Sequence, residues 1–142
     1  MIVQSIVFIN SFIFLFISII HFYWALGGKN GLQYSIPTQE DSTTPLFQPK
    51  ILGTLFIAGS FLIFTAIMLN SQSYIDWKFI TQYQKPLLWF LSIIFLLRSI
   101  GEFKYVGFSK KIKNTLFAKY DTQYYSPLCF WLGCSIGYLA FV

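Results

Sequence analysis

The stretch "LLWFLSIIFLLRSIGEFKYVGFSKK", residues 87–111, begins like a membrane span and ends as a basic loop. Its first eleven residues are apolar except for Ser92, then Arg98 follows, and Glu102 stands four residues later. A helix that crosses a bilayer needs about 20 residues. This one reaches that length only if it starts at Pro86 and runs through Arg98 to about Tyr105, residues 86–105. Such a helix sets Arg98 and Glu102 one turn apart, close enough to pair. The arginine has a ready account: near a helix C-terminus its charge complements the dipole, and its long stem lets the head reach water. The same dipole disfavours the glutamate. Glu102 therefore calls for a cationic partner or a proton-transfer role, since ionisable residues at membrane depth are functional candidates.

Three more apolar runs lie outside this stretch, at about residues 2–26, 51–69 and 126–142. With 86–105 they make four spans of a single domain, residues 1–142. Of the 142 residues 56% are hydrophobic and 11% charged. A soluble domain carries about 25% charged residues, and one this short could not hide so much apolar surface. Continuous apolar runs fit helices, which satisfy their backbone groups within one segment. Barrel strands would instead alternate over about ten residues. The expected fold is all-α: a polytopic membrane protein with four transmembrane helices in a bundle. The last run is short, at about 126–142, or longer by a turn if it begins near Tyr124 with Pro127 in its first turn. The first run has no basic residues before it and no small-residue cleavage site, and it exceeds a signal-peptide core of about 7–15 residues. It reads as a retained span.

The net charge is +5. The cations sit in short loops between apolar runs, which points to a bilayer and away from nucleic acid. Loops at about 27–50 and 106–126 hold Lys29, Lys50, Lys110, Lys111, Lys113 and Lys119, with Arg98 and Lys104 at the adjoining helix end. The other side holds Lys78 and Lys85. This bias predicts a multi-pass protein of the cell membrane with the lysine-rich loops cytoplasmic and both termini outside. The first loop, rich in Gly, Pro, Ser and Thr, is expected to be an ordered loop or lid. In the third loop Phe108, Ile112, Leu116 and Tyr120 recur every four residues with lysines between them. That pattern suits an interfacial amphipathic helix before the last span, or else a solvated connector.

His21 and Trp24, then Arg98, Glu102, Lys104 and Tyr105, then Asp121 all fall at the lysine-rich end. Two functions fit them. In a binding or accessory protein, Arg98 and Lys104 contact an anionic lipid head group or a partner subunit, while Trp24 and Tyr105 anchor at the interface. In a membrane-embedded enzyme acting on a lipophilic substrate, His21 and Glu102 exchange protons while Arg98 holds charge, with Asp121 a further candidate acid. A transporter fits less well, because the chain shows no internal repeat. His21, Glu102 and Asp121 lack the spacing of metal ligands, so no metal or cofactor is expected. No phosphate loop, nucleophile elbow or HExxH occurs. Cys129 and Cys134 would stand about 140° apart around a helix and read as packing residues. Gly133 and Gly137 form a GxxxG pair, which serves packing within one bundle or a seam in a homo-oligomer.

The stretches "HFYWALGG" (21–28), "IPT" (36–38), "RSIGEFKYVGF" (98–108) and "YDTQYYSPLC" (120–129) occur in this order. Together they resemble a family of small bacterial membrane proteins catalogued as a domain of unknown function. The resemblance runs over nearly the whole chain. It implies a four-helix membrane protein and carries no activity with it. In that family the acid after Arg-x-x-Gly is commonly aspartate. Glu102 keeps the charge and moves it by one methylene.

Overall fold

The computed structural model describes residues 1–40 and 44–142. Residues 41–43 of the expected first loop lie outside the described residues. Four long helices carry the fold: α1 (Ile2–Ala25), α3 (Ile51–Asn70), α5 (Gln84–Ile100) and α7 (Ser126–Phe141). Short helices punctuate the connections: α2 (Leu32–Ser35), α4 (Lys78–Gln82) and α6 (Leu116–Tyr120). The described residues contain no strand, only an isolated bridge between Thr38 and Pro45. The expected all-helical class is found. Two helices are long and apolar enough to cross a membrane: α1 with 24 residues and α3 with 20, at mean hydropathies of 2.3 and 2.2.

The third long helix departs from expectation. It starts at Gln84 and stops at Ile100, five residues short of Tyr105. The cause is a tight return of the chain. Gly101 and Gly107 both have φ of 88°, in the left-handed region that favours glycine. A Cβ on Gly101 would overlap the Val106 carbonyl oxygen, and one on Gly107 would overlap that of Ile100. The returning chain supplies donors to the end of α5: Phe108 N–H to Ser99 O at 2.8 Å and Ser109 N–H to Ile100 O at 3.2 Å. These carbonyls would otherwise lack partners.

The expected amphipathic helix from Phe108 to Tyr120 does not form as a unit. Residues 101–115 are irregular, and α6 begins only at Leu116. Thr115 caps it, its Oγ1 accepting from Ala118 N–H at 3.1 Å. A π-helical turn, Asp121–Tyr125, then leads straight into α7, with Pro127 in the first turn of that helix. The last helical stretch therefore starts ten residues before the 126 expected from hydropathy.

One apolar cluster draws on all four long helices, with Val7 and Phe14 of α1, Met68 of α3, Phe95 of α5, and Leu132 and Ile136 of α7. The Phe14 ring lies 5.4 Å from that of Phe95 and 5.7 Å from that of Phe64. Side-chain hydrogen bonds also cross between helices. Asn10 Nδ2 donates to Ser135 Oγ at 2.9 Å, linking α1 to α7. Ser18 donates to Ala58 O at 2.7 Å, linking α1 to α3. Ser92 donates to Gly133 O at 2.7 Å, linking α5 to α7. Gly133 and Gly137 face α5, where a Cβ would come within 2.6 Å of Leu96 Cγ and 2.8 Å of Ser92 Oγ, respectively. The GxxxG pair is thus used within the chain. At the opposite end Asn70 ties α3 to α4 and α5, donating to Thr81 and Gln84 and accepting from Trp77 N–H.

The outer surface is apolar. In α1 the buried set includes Asn10, Ser11 and Ser18, while Phe8, Phe12 and Phe16 are exposed. Val7 and Phe14 are buried beside these polar residues, and an amphipathic helix of a water-soluble protein would not leave three phenylalanines on its outer face.

Candidate functional site

Three segments converge on the carboxylate of Asp121. The π-helical turn ahead of α7 supplies Asp121 itself. The last turn of α5 supplies Arg98. The glycine-bounded return brings Gly107 and Lys110. Asp121 Oδ1 accepts from Arg98 Nη2 at 2.8 Å. Its Oδ2 accepts from Lys110 Nζ at 2.9 Å, Gly107 N–H at 2.9 Å and Ser126 Oγ at 3.1 Å. Lys110 also donates to Gly107 O at 3.0 Å. The side chains of Asp121 and Lys110 are 0% and 1% exposed, and that of Arg98 is 33% exposed. Charge-assisted bonds of this kind are stronger than neutral ones.

Burial alone would push the Asp121 carboxyl up. The bonds from Lys110 and Arg98, the Arg98 charge and the Gly107 N–H outweigh it and hold the group below the ordinary carboxylate range. Asp121 is thus a committed anion and a poor proton donor near neutral pH. Two cations on one carboxylate leave the cluster with a net positive charge. Arg98 Nη1 is buried and has no hydrogen-bond partner among the described residues.

The expected pairing of Arg98 with Glu102 is replaced. Because α5 ends at Ile100, Glu102 is no longer one helical turn from Arg98. Glu102 is exposed, and its Oε1 accepts the N–H of Tyr105 at 2.7 Å, closing a local turn. An aspartate is equally equipped to accept a bond from a nearby backbone N–H. Lys104 is also exposed and sits 5.1 Å over the Tyr105 ring.

His21 and Trp24 form a separate group at the end of α1. His21 Nδ1 bonds to Ile17 O at 2.8 Å, and its ring lies 5.0 Å from that of Trp24 and 6.0 Å from that of Phe61. Trp24 Nε1 donates to Asn30 O at 2.8 Å. Among the described residues no hydrogen bond joins His21 to Glu102 or Asp121. The first and third loops do meet: the Tyr34 and Tyr120 rings stack at 4.6 Å, and Ser35 bonds Tyr125 at 3.3 Å. Among the described residues no three His, Cys, Asp or Glu side chains gather to hold a metal ion.

The structure therefore unites Arg98 and Asp121 and adds Lys110, Gly107 and Ser126. Sequence reasoning missed these last three. Asp121 is the only acid between residues 106 and 126, which marks it as a counter-charge. Nothing local distinguishes Lys110 from Lys111 or Lys113.

Residues 14–136 match a family described as a protein of unknown function, DUF3995. The chain belongs to that family. No curated protein and no solved structure matches it. In this DUF3995 chain the stretch 98–108 supplies Arg98, Gly101 and Gly107, and the stretch 120–129 supplies Asp121 and Ser126. Two of the four stretches behind the resemblance therefore supply most of one ionic lock, and Lys110 lies just past the first of them.

Proposed function

We propose that this chain is a four-span integral membrane protein that works by binding, with a site for an anionic head group or a membrane partner at its lysine-rich end. The observation that carries the reading is the apolar outer face of the long helices, which expose large apolar side chains while burying serines and an asparagine beside their apolar core. Besides α1, helix α5 buries Ser92 and Ser99 while exposing Phe90, Ile93 and Leu97. Helix α7 buries Ser126 and Ser135 while exposing Phe130, Trp131 and Phe141. Lipid accepts such a surface, and in lipid small residues and interhelical hydrogen bonds hold helices together. The 17 residues of α5 and 16 of α7 span only about 24–26 Å. Spans shorter than the roughly 30 Å of a hydrocarbon core are accommodated by local thinning of the bilayer at modest cost.

Binding is favoured over catalysis because the candidate proton-transfer groups do not come together: among the described residues no hydrogen bond joins His21 to Glu102 or Asp121, and Asp121 is held by two cations. The loop lysines then set the orientation, with the lysine-rich end cytoplasmic and both termini outside. A reporter fused after Val142 should read outside, and one inserted beside Lys113 should read cytoplasmic. The reverse result overturns the topology. Protein purified from membranes should carry anionic lipid by mass spectrometry, and its absence overturns the head-group site.

A further inference from the structure

Two open cavities share Phe108 as a wall. One is a basin of about 630 Å³ lined by Lys113, Asn114, Lys119 and Gln123 among others. The other is a groove of about 390 Å³ bounded by Leu96, Ile100, Phe108 and Phe130. We infer that together they hold one anionic phospholipid, its phosphate in the basin and an acyl chain in the groove. This rests on the reading that the lysine-rich end lies at an anionic leaflet, and it names the ligand of that end.

Charge favours an anion in the basin. Lys113 and Lys119 are exposed and belong to no ion pair among the described residues. No acid lines the basin, and its remaining cation, Lys110, is paired with Asp121, which it shares with Arg98. The amides of Asn114 and Gln123 add donors suited to phosphate oxygens.

The order along the molecule favours an amphiphile. Leu96 and Ile100 belong to the last turns of α5, and Phe130 to the second turn of α7, so the groove lies between two proposed spans. The basin is built from α6, the π turn and the loop before them, beyond the end of α5. A polar head above and an apolar chain below is the arrangement of a lipid at this depth. A free phosphate would use only the basin.

The test uses the full-length protein and native mass spectrometry, with titrations of phosphatidylglycerol, phosphatidylcholine and inorganic phosphate. Lys113→Gln/Lys119→Gln removes the charge, and Phe130→Ala opens the groove. All three positions are exposed, and a thermal melt checks that the fold is kept. Phosphatidylglycerol should bind in preference to phosphatidylcholine. The double lysine variant should weaken it by roughly tenfold to thirtyfold, as expected from two surface cations near an anionic head group. Phe130→Ala should weaken phosphatidylglycerol and leave inorganic phosphate unchanged. Wild-type affinity in both variants overturns the site while leaving lipid binding elsewhere intact. Inorganic phosphate competing as well as the lipid overturns the groove's part. A wild-type protein that binds no anionic lipid overturns both this inference and the head-group site beneath it.

Discussion

Arg98 and Asp121 stand 23 positions apart in the chain, and their side chains meet at 2.8 Å. That contact, with Lys110 on the second carboxylate oxygen, fastens the end of α5 to the start of the last helical stretch. It closes the lysine-rich end of the molecule.

The lock should fail asymmetrically. Asp121→Ala leaves Lys110 buried without a counter-charge, and Lys110→Ala removes a donor from a buried carboxylate. Each is expected to cost about 3–5 kcal/mol, as for breaking a buried ion pair from one side. Arg98→Ala should cost less, because its side chain is one-third exposed and can be replaced by water. Thermal melts of the three variants in detergent check this order.

Acid should loosen the same lock. The folded Asp121 carboxyl lies below its ordinary value, while in the unfolded chain it titrates near about 3.9. Its contribution is therefore present above that unfolded value and is lost as pH falls through the folded one. The melting temperature should be insensitive to this group between neutral pH and about 5, then drop below about 4. The Asp121→Asn variant should lack that part of the acid slope.

The glycines divide into two kinds. Gly101→Ala and Gly107→Ala put a side chain at positive φ and against backbone carbonyls, so each should destabilise by about 1–3 kcal/mol or more. The Gly107 change also displaces an N–H from Asp121. Gly59→Ala in α3 meets nothing within 4 Å and should be neutral or stabilising by about 0.5–1 kcal/mol. Equilibrium unfolding of the three variants separates the two kinds.

Substitutions at Glu102 and His21 test catalysis against binding. Among the described residues each hydrogen-bonds only to its own local backbone, so Glu102→Ala and His21→Phe should each cost no more than about 1 kcal/mol and leave the Asp121 lock in place. Lipid retention by mass spectrometry should be unchanged in both. A variant that folds and retains lipid yet abolishes a measured conversion of a lipophilic substrate would restore the enzyme reading.

Asn10→Ala should cost modestly, about 0.6 kcal/mol and at most about 1.7, the range for hydrogen bonds between helices in a bilayer. It breaks the bond from α1 to Ser135 on α7. A loss as large as that of Asp121→Ala would place the main tie between the helices in the apolar core and not at the lysine-rich end.

The sequence by itself determined the all-helical class, the two span-length helices and the family. These follow from quantities that add along the chain: run length, hydropathy and the order of short motifs. It also marked Asp121 and Arg98, because charges beside apolar runs are conspicuous. Where α5 ends, and which acid its arginine meets, only the tertiary structure decided. The apolar pattern continues past Ile100, but the end of the helix depends on Phe108 and Ser109 returning to its last carbonyls through two left-handed glycines. Lys110 is one lysine among several until that return buries it against Asp121. A bond between residues 23 apart depends on the path of the backbone between them, and no local pattern of residue types encodes that path.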